Sequence, residues 1–153
     1  QKIDVLFIDE SEVRELASEV NLVQAARSII DSGPSIVVVK RGDHGLLLFQ
    51  KNSIFAAPAF PLKRVIDPTG AGDSFAGGFL GYLASSNDIS PESIRRAAVL
   101  GSVMGSFAVE SFSLDRLMSI THSEIEGRFR EFSQLSQFMP LNDDETLPWR
   151  DDT

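Results

Sequence analysis

Between Asp67 and Asp73 the chain reads Asp-Pro-Thr-Gly-Ala-Gly-Asp, and a helical pattern follows through Gly81. Gly70, Ala71 and Gly72 carry little side-chain bulk, so a phosphoryl group can approach their backbone closely. A helix that starts at this point adds free N–H groups and about half a positive charge, which together bind anions. Asp73 is the unusual member. A carboxylate at a helix start gains from the dipole, and beside a phosphate nest it stands where a base must stand to take a proton from an attacking hydroxyl. The same residue type at the same place is also an ordinary helix cap, and the two readings stand side by side. Gly77, Gly78 and Gly81 then occupy the helix interior, where each glycine is disfavoured by about 1 kcal/mol relative to alanine. Close approach of a ligand or of a neighbouring backbone would account for them. For Gly77 and Gly81 the neighbouring backbone is at least as good an explanation.

Other phosphate-binding loops fit poorly. The P-loop needs Lys followed by Ser or Thr after its last glycine, whereas Asp73 and Ser74 follow Gly72. The dinucleotide fingerprint needs a glycine or alanine three residues after Gly72, and Phe75 is there. Lys40 and Arg41 form the basic pair best placed to meet a phosphate, although a solvated surface pair is the commoner outcome. His44 in a turn and His122 inside a helix cap read as surface residues. No spacing of His, Asp and Glu suggests a tight metal site built by the protein alone.

The elements that hold these residues follow from apolar periodicity. Val5 to Ile8 reads as a buried strand. Asp9 and Glu12 have the spacing of a capping box that opens a helix, with Asp9 as N-cap. Asn21 opens a second helix, and Gly33 ends it. Ile36 to Val39 is a β-branched run suited to a sheet buried on both faces. A turn over Gly42–Gly45, a strand over Leu46–Phe49, a turn at Lys51–Asn52 and a strand over Ser53–Ala57 continue it as an antiparallel meander at one sheet edge. Val65 and Ile66 close a further extended segment that delivers the glycine-rich loop, and a helix from about Asp73 to Ala84 follows. Ser90 and Pro91 open a helix reaching about Val109. Thr121 and Glu124 cap a last helix to about Phe138. Phe107 and Phe112 read as core or as the wall of an adenine pocket. Phe129, Phe132 and Phe138 read as core or as a contact with chain lying elsewhere. The fold class is α/β, with residues 1–139 as the folded part and 140–153 as a loose acidic tail in which Trp149 has no assigned role.

Bulk properties limit the partners. The 153 residues suit one domain, and 42% hydrophobic with 24% charged residues is a globular composition. A net charge of −8 speaks against nucleic acid or an anionic membrane as the main partner. The absence of cysteine excludes disulfides, zinc–thiolate sites and thiol catalysis, and makes the cytoplasm the natural compartment. No signal peptide or membrane-length apolar run is evident. The chain begins with Gln1, so it is either processed or an excerpt of a longer protein.

The stretch from Asp67 to Phe79 resembles the C-terminal signature of the ribokinase-like, or PfkB, carbohydrate kinases. Order and spacing from Val5 to about Phe138 are similar to the C-terminal half of such enzymes. The resemblance implies a three-layer α/β/α fold, with the N-terminal half, most sugar-binding residues and the lid lying outside this chain. It implies an ATP-dependent transfer of the γ-phosphate to a hydroxyl of a sugar or sugar-like substrate. Asp73 matches the family's general base, and Gly70, Ala71 and Gly72 match its anion hole. Lys40, Gly42 and Gly45 match the turn that lies over the nucleotide, with Lys40 where many members have threonine. Gly101, with Ser102 and Gly105, falls near the adenine pocket. Glu12 matches the glutamate of the Asn-x-x-Glu motif that organises Mg²⁺ through water. Asp9 stands at the asparagine position, where it would add a magnesium contact, repel phosphate or simply cap its helix. Asp67 and Thr69 match a loop that holds a monovalent cation, K⁺, in some members. Alternatives are a nucleoside kinase of the adenosine type, or a nucleotide-binding fragment or regulator without catalysis. The acceptor and the oligomeric state, a homodimer in the complete protein among the options, are set by residues outside this chain.

Overall fold

Strand β1 (Val5–Asp9) and strand β2 (Ile36–Lys40) lie parallel, joined through helices α1 (Glu10–Ala17) and α2 (Leu22–Ser32). The architecture is that of a computed structural model, which describes residues 3–147. Strand β3 (Leu46–Gln50) pairs antiparallel with β2, and β4 (Ser53–Ala57) antiparallel with β3, giving the order β1-β2-β3-β4. The meander expected from the sequence is therefore present. Helix α3 (Ala71–Ser86) and helix α4 (Pro91–Ala108) follow, then α5 (Asp115–Ser119) and α6 (His122–Ser136).

The four consecutive buried residues of β2 explain the layering. Val37 and Val39 pack on Val13, Ala25, Ala26 and Ile29 of α1 and α2, while Ile36 and Val38 pack on Phe75, Phe79, Ala97 and Ala98 of α3 and α4. Alternate side chains of one strand thus enter opposite cores, as the pleat requires. Each fully buried phenylalanine, such as Phe49 and Phe79, contributes about 1.5–3 kcal/mol by leaving water. Phe7 of β1 meets Phe75 and Phe79 edge-on, at ring centroid distances of 5.7 and 5.2 Å, and so fixes α3 beneath the sheet.

Helices α3 and α4 approach closely because of two glycines. A Cβ on Gly78 would lie 3.1 Å from the Leu100 carbonyl oxygen, and one on Gly101 would lie 2.8 Å from the Phe75 ring. Gly77 and Gly81, in contrast, have open space where a Cβ would stand. The expected close approach is thus real for Gly78 and absent for the other two within the described residues.

A third, smaller core joins α4 to the end of the chain through Val103, Phe107 and Phe132. Arg128 of α6 is central to it. Its guanidinium carbon lies 3.5 Å from the centre of the Phe107 ring, and it donates to Glu110 and to the Ser106 hydroxyl. Glu110 also accepts from Arg116 of α5, which in turn bonds Glu124 of the α6 cap. The short α5 has no expected counterpart, and Phe112, anticipated in a core or pocket wall, is 71% exposed. Phe138 is exposed as well. Residues 137–147 contain no helix or strand. Trp149 and residues 148–153 of the expected tail lie outside the described residues.

Candidate active site

Three chain segments meet at the carboxyl ends of β1 and β2. The first is the junction of β1 with α1. Asp9 is the N-cap of α1, and its N–H donates to the Glu12 carboxylate at 2.9 Å, completing the expected capping box. The second is the end of β2 and the turn beyond it. Parallel pairing puts Lys40 opposite Asp9, and the ammonium lies 3.1 Å from the Asp9 carboxylate. Arg41 turns instead to Glu10, its Nε donating at 2.6 Å, while Arg14 takes the other Glu10 oxygen at 2.6 Å. The two guanidinium groups hold the Glu10 carboxyl below the usual carboxylate range, Arg41 contributing most.

A 3₁₀ turn over Gly42–His44 follows, with Gly42 and Gly45 both at positive φ, 57° and 83°. Gly45 is required for a second reason: a Cβ there would stand 2.1 Å from the Ala57 carbonyl oxygen. His44 is exposed and faces only the exposed Asp43, as expected for a turn.

The third segment is the glycine-rich loop. The extended segment expected before it does not join the sheet. Residues 58–70 run irregularly from β4, because Pro58, Pro61 and Pro68 remove the donors a strand would need. One anchor fixes their exit: the Ile66 N–H donates to the Val109 carbonyl at 2.8 Å, at the C-terminus of α4. Asp67 then accepts from the Thr69 N–H at 2.9 Å, forming a tight turn. The Thr69 hydroxyl and N–H hold the Asp67 carboxyl below its ordinary range, with help from the Ser113 N–H.

Helix α3 begins at Ala71, two residues earlier than its sequence pattern suggests, with Gly70 as N-cap at φ 79°. This bears directly on Asp73. The residue is the third of the helix, it is exposed, and its side chain makes no capping hydrogen bond. The cap reading of Asp73 is therefore incorrect, since Gly70 takes that position. The anion-hole reading also needs one correction. The Ala71 N–H is already used, donating to the Pro68 carbonyl at 3.2 Å. Among the described residues, the N–H groups of Gly70, Gly72 and Asp73 have no acceptor.

Lys40 belongs to this loop as much as to its strand. A Cβ placed on Gly72 would lie 2.9 Å from Lys40 Nζ, so the ammonium rests against the first turn of α3. Asp9, Lys40 and Gly72 thereby come together, with Gly70 and Asp73 within two residues of Gly72 along the chain. Sequence pattern alone missed the Asp9–Lys40 pairing, because it depends on the register of two strands. The available signal was that each residue directly follows an apolar run.

Gly101, Ser102 and Gly105 sit one layer away on α4. Gly101 is buried against Phe75, a Cβ on Gly105 would lie 3.3 Å from the Ala71 carbonyl, and the Ser102 hydroxyl donates to the Ala98 carbonyl at 3.1 Å. Gly101 and Gly105 thus pack against the first turns of α3. A separate groove between β4, α4 and α6, lined by Phe55, Arg95, Val99, Phe129 and Phe132 among others, includes none of the candidate residues. Among the described residues no three carboxylate or histidine side chains converge as a metal site, and no helix is long and apolar enough to cross a membrane.

Comparison with known proteins shows the family and the fold. Residues 1–119 match the sequence profile of the pfkB family carbohydrate kinases. The chain is 38% identical over 84 residues to cytidine kinase from Thermococcus kodakarensis, covering 53% of this chain and 30% of that protein. It is 30% identical over 119 residues to deoxyribokinase from Salmonella typhi, covering 78% and 33%. A double mutant of fructokinase from Vibrio cholerae O395, solved with fructose, ADP and potassium ion, superposes with a TM-score of 0.75 at 26% identity over 82% of this chain and 40% of that one. The chain thus spans about a third of the length of these curated relatives.

Proposed function

The chain belongs to the pfkB family of carbohydrate kinases, and from that membership we propose that it forms the nucleotide-binding part of an ATP-dependent phosphotransferase acting on a hydroxyl of a sugar or nucleoside. The observation that carries the reading is the start of α3. Among the described residues, the donors at Gly70, Gly72 and Asp73 have no acceptor, and the exposed Asp73 carboxylate beside them makes no capping bond.

In the proposed reaction, Asp73 accepts the proton of the acceptor hydroxyl as that oxygen bonds to the γ-phosphorus. The bond from the γ-phosphorus to the β,γ-bridging oxygen breaks, and its electron pair leaves with ADP. The amides of Gly70, Gly72 and Asp73 stabilise negative charge on the phosphoryl oxygens during transfer. Gly42 and Gly45 keep the turn after β2 clear for the nucleotide, and α4, through Gly101 and Gly105, backs the start of α3.

Asp9 is already engaged by Lys40, and Glu12 by the Asp9 N–H. A magnesium ion would then be held mainly by nucleotide phosphates, with Glu12 as the residue to reach it through water. When bound, the cation neutralises phosphate charge. Asp67 and Thr69 form the loop that a monovalent cation would adjoin, and the fructokinase solved with potassium ion supports that role by similarity. The cytidine kinase and deoxyribokinase relatives support an acceptor that is a pentose or carries one.

The test is Asp73→Asn in the full-length protein, assayed with ATP and a panel of sugars and nucleosides. Loss of a general base lowers kcat by about a hundredfold or more, with ADP affinity kept within about threefold. An unchanged turnover number rejects the assignment.

A further inference from the structure

Lys40 sits in an electrostatically awkward place. Its ammonium lies against the first turn of α3, and the positive end of a helix dipole repels a cation. Few arrangements would put a lysine there for stability alone. Asp9 makes the position tolerable: paired by strand register, it holds the ammonium at 3.1 Å. The neighbouring Arg41 offers no substitute, because Glu10 engages its guanidinium. Lys40 is therefore the cation delivered to the loop, and Gly72 leaves room for it, since any side chain there would meet Nζ within 2.9 Å.

An anion arriving at the free amides of Gly72 and Asp73 reverses the sign of this arrangement. It is attracted by the helix terminus and by the ammonium together, and it competes with Asp9 for Lys40. We propose that Lys40 is the side chain that grips the phosphoryl group being transferred, and that Asp9 is a positioning residue that stores the ammonium over Gly72 until that group arrives. The proposal rests on the kinase reading of the site and assigns Asp9 to Lys40 rather than to magnesium.

A double-mutant cycle on the full-length protein tests it. Lys40→Met removes the charge while keeping most of the length, and Lys40→Arg restores charge; thermal denaturation verifies that each variant is folded. Binding of ATP and ADP is measured by calorimetry, turnover with the acceptor panel, and magnesium dependence by titration at saturating ATP. Lys40→Met is expected to lower kcat about a hundredfold and to weaken ATP about tenfold, with ADP within about threefold, because only ATP carries the gripped group. Lys40→Arg recovers part of the loss. Asp9→Asn alone lowers kcat less than Lys40→Met does, without shifting the magnesium midpoint, and adds no more than about twofold in the Lys40→Met background.

Equal losses of ATP and ADP affinity in Lys40→Met would overturn the phosphoryl contact. A raised magnesium midpoint in Asp9→Asn, or effects of Asp9→Asn and Lys40→Met that multiply, would overturn the positioning role of Asp9. If the wild-type protein transfers phosphate to no acceptor, the kinase reading fails separately, and the ATP-versus-ADP comparison still decides the role of Lys40.

Discussion

The ring of Phe75 fills the space that a Cβ on Gly101 would need, at 2.8 Å, and this contact sets how closely α4 can lie beneath α3. Gly101→Ala should therefore destabilise the protein by about 1–3 kcal/mol through overpacking, read as a lower denaturation midpoint. Gly77→Ala is its counterpart. Open space surrounds that position, so alanine should stabilise α3 by up to about 1 kcal/mol in the isolated chain. Equal effects of the two substitutions would contradict the packing described for α3 and α4.

Gly45 cannot be replaced without moving backbone. Its φ of 83° and the 2.1 Å approach to the Ala57 carbonyl oxygen both exclude a side chain. Gly45→Ala should cost about 1–3 kcal/mol in chemical denaturation and weaken nucleotide binding together with stability. The neighbouring Gly42 has positive φ but open surroundings, so Gly42→Asn should be tolerated far better.

Arg128 ties α6 to the C-terminal end of α4, stacking on Phe107 and bonding Ser106 and Glu110. Arg128→Ala should lower stability by about 1–3 kcal/mol, through lost packing as well as lost charge. Arg128→Lys should recover little, because an ammonium neither lies flat on the Phe107 ring nor spans both acceptors. Thermal unfolding of the three proteins checks the ranking.

Glu124 gives a pH signature. Arg116, together with the N–H and hydroxyl of Thr121, pulls its pKa from 4.5 down to about 2 in the folded protein. A lowered folded-state pKa means stability that is present above the unfolded value and lost as pH falls through the folded one. The stability difference between wild type and Glu124→Gln should thus be constant near neutrality and shrink between about pH 4.5 and pH 2. The group is exposed, so added salt should also diminish the difference. A gap independent of both pH and salt would show that the ion pair contributes nothing.

Much of this architecture was legible because single residues announced it. Asn21, Ser90 and Thr121 cap the helices that their spacing predicts, and the unbroken Ile36–Val39 run lies between two helical layers as such runs require. The segment before the glycine-rich loop departs from its strand-like pattern. Val65 and Ile66 have strand-like side chains, but the prolines around them and the bonds from the Ile66 and Asp67 N–H groups to the Val109 carbonyl decide the path. The residue type of Asp73 predicts a helix start there, whereas Gly70 in the left-handed region begins the helix earlier. Local chemistry thus foretold which residues would matter. It did not foretell partners fixed by strand register or by helices distant in sequence, as with Asp9 and Lys40.

Adjacent residues at the end of α4 serve two masters. The Val109 carbonyl steadies the approach to the glycine-rich loop, and the Glu110 carboxylate clasps Arg116 and Arg128 of the last two helices. The C-terminal helix, which lies wholly beyond the matched family region, is thereby geared to the loop through one dipeptide. Trimming the chain at the family boundary should loosen that linkage and free the start of α3 to shift, although no residue named in the candidate site lies on α6.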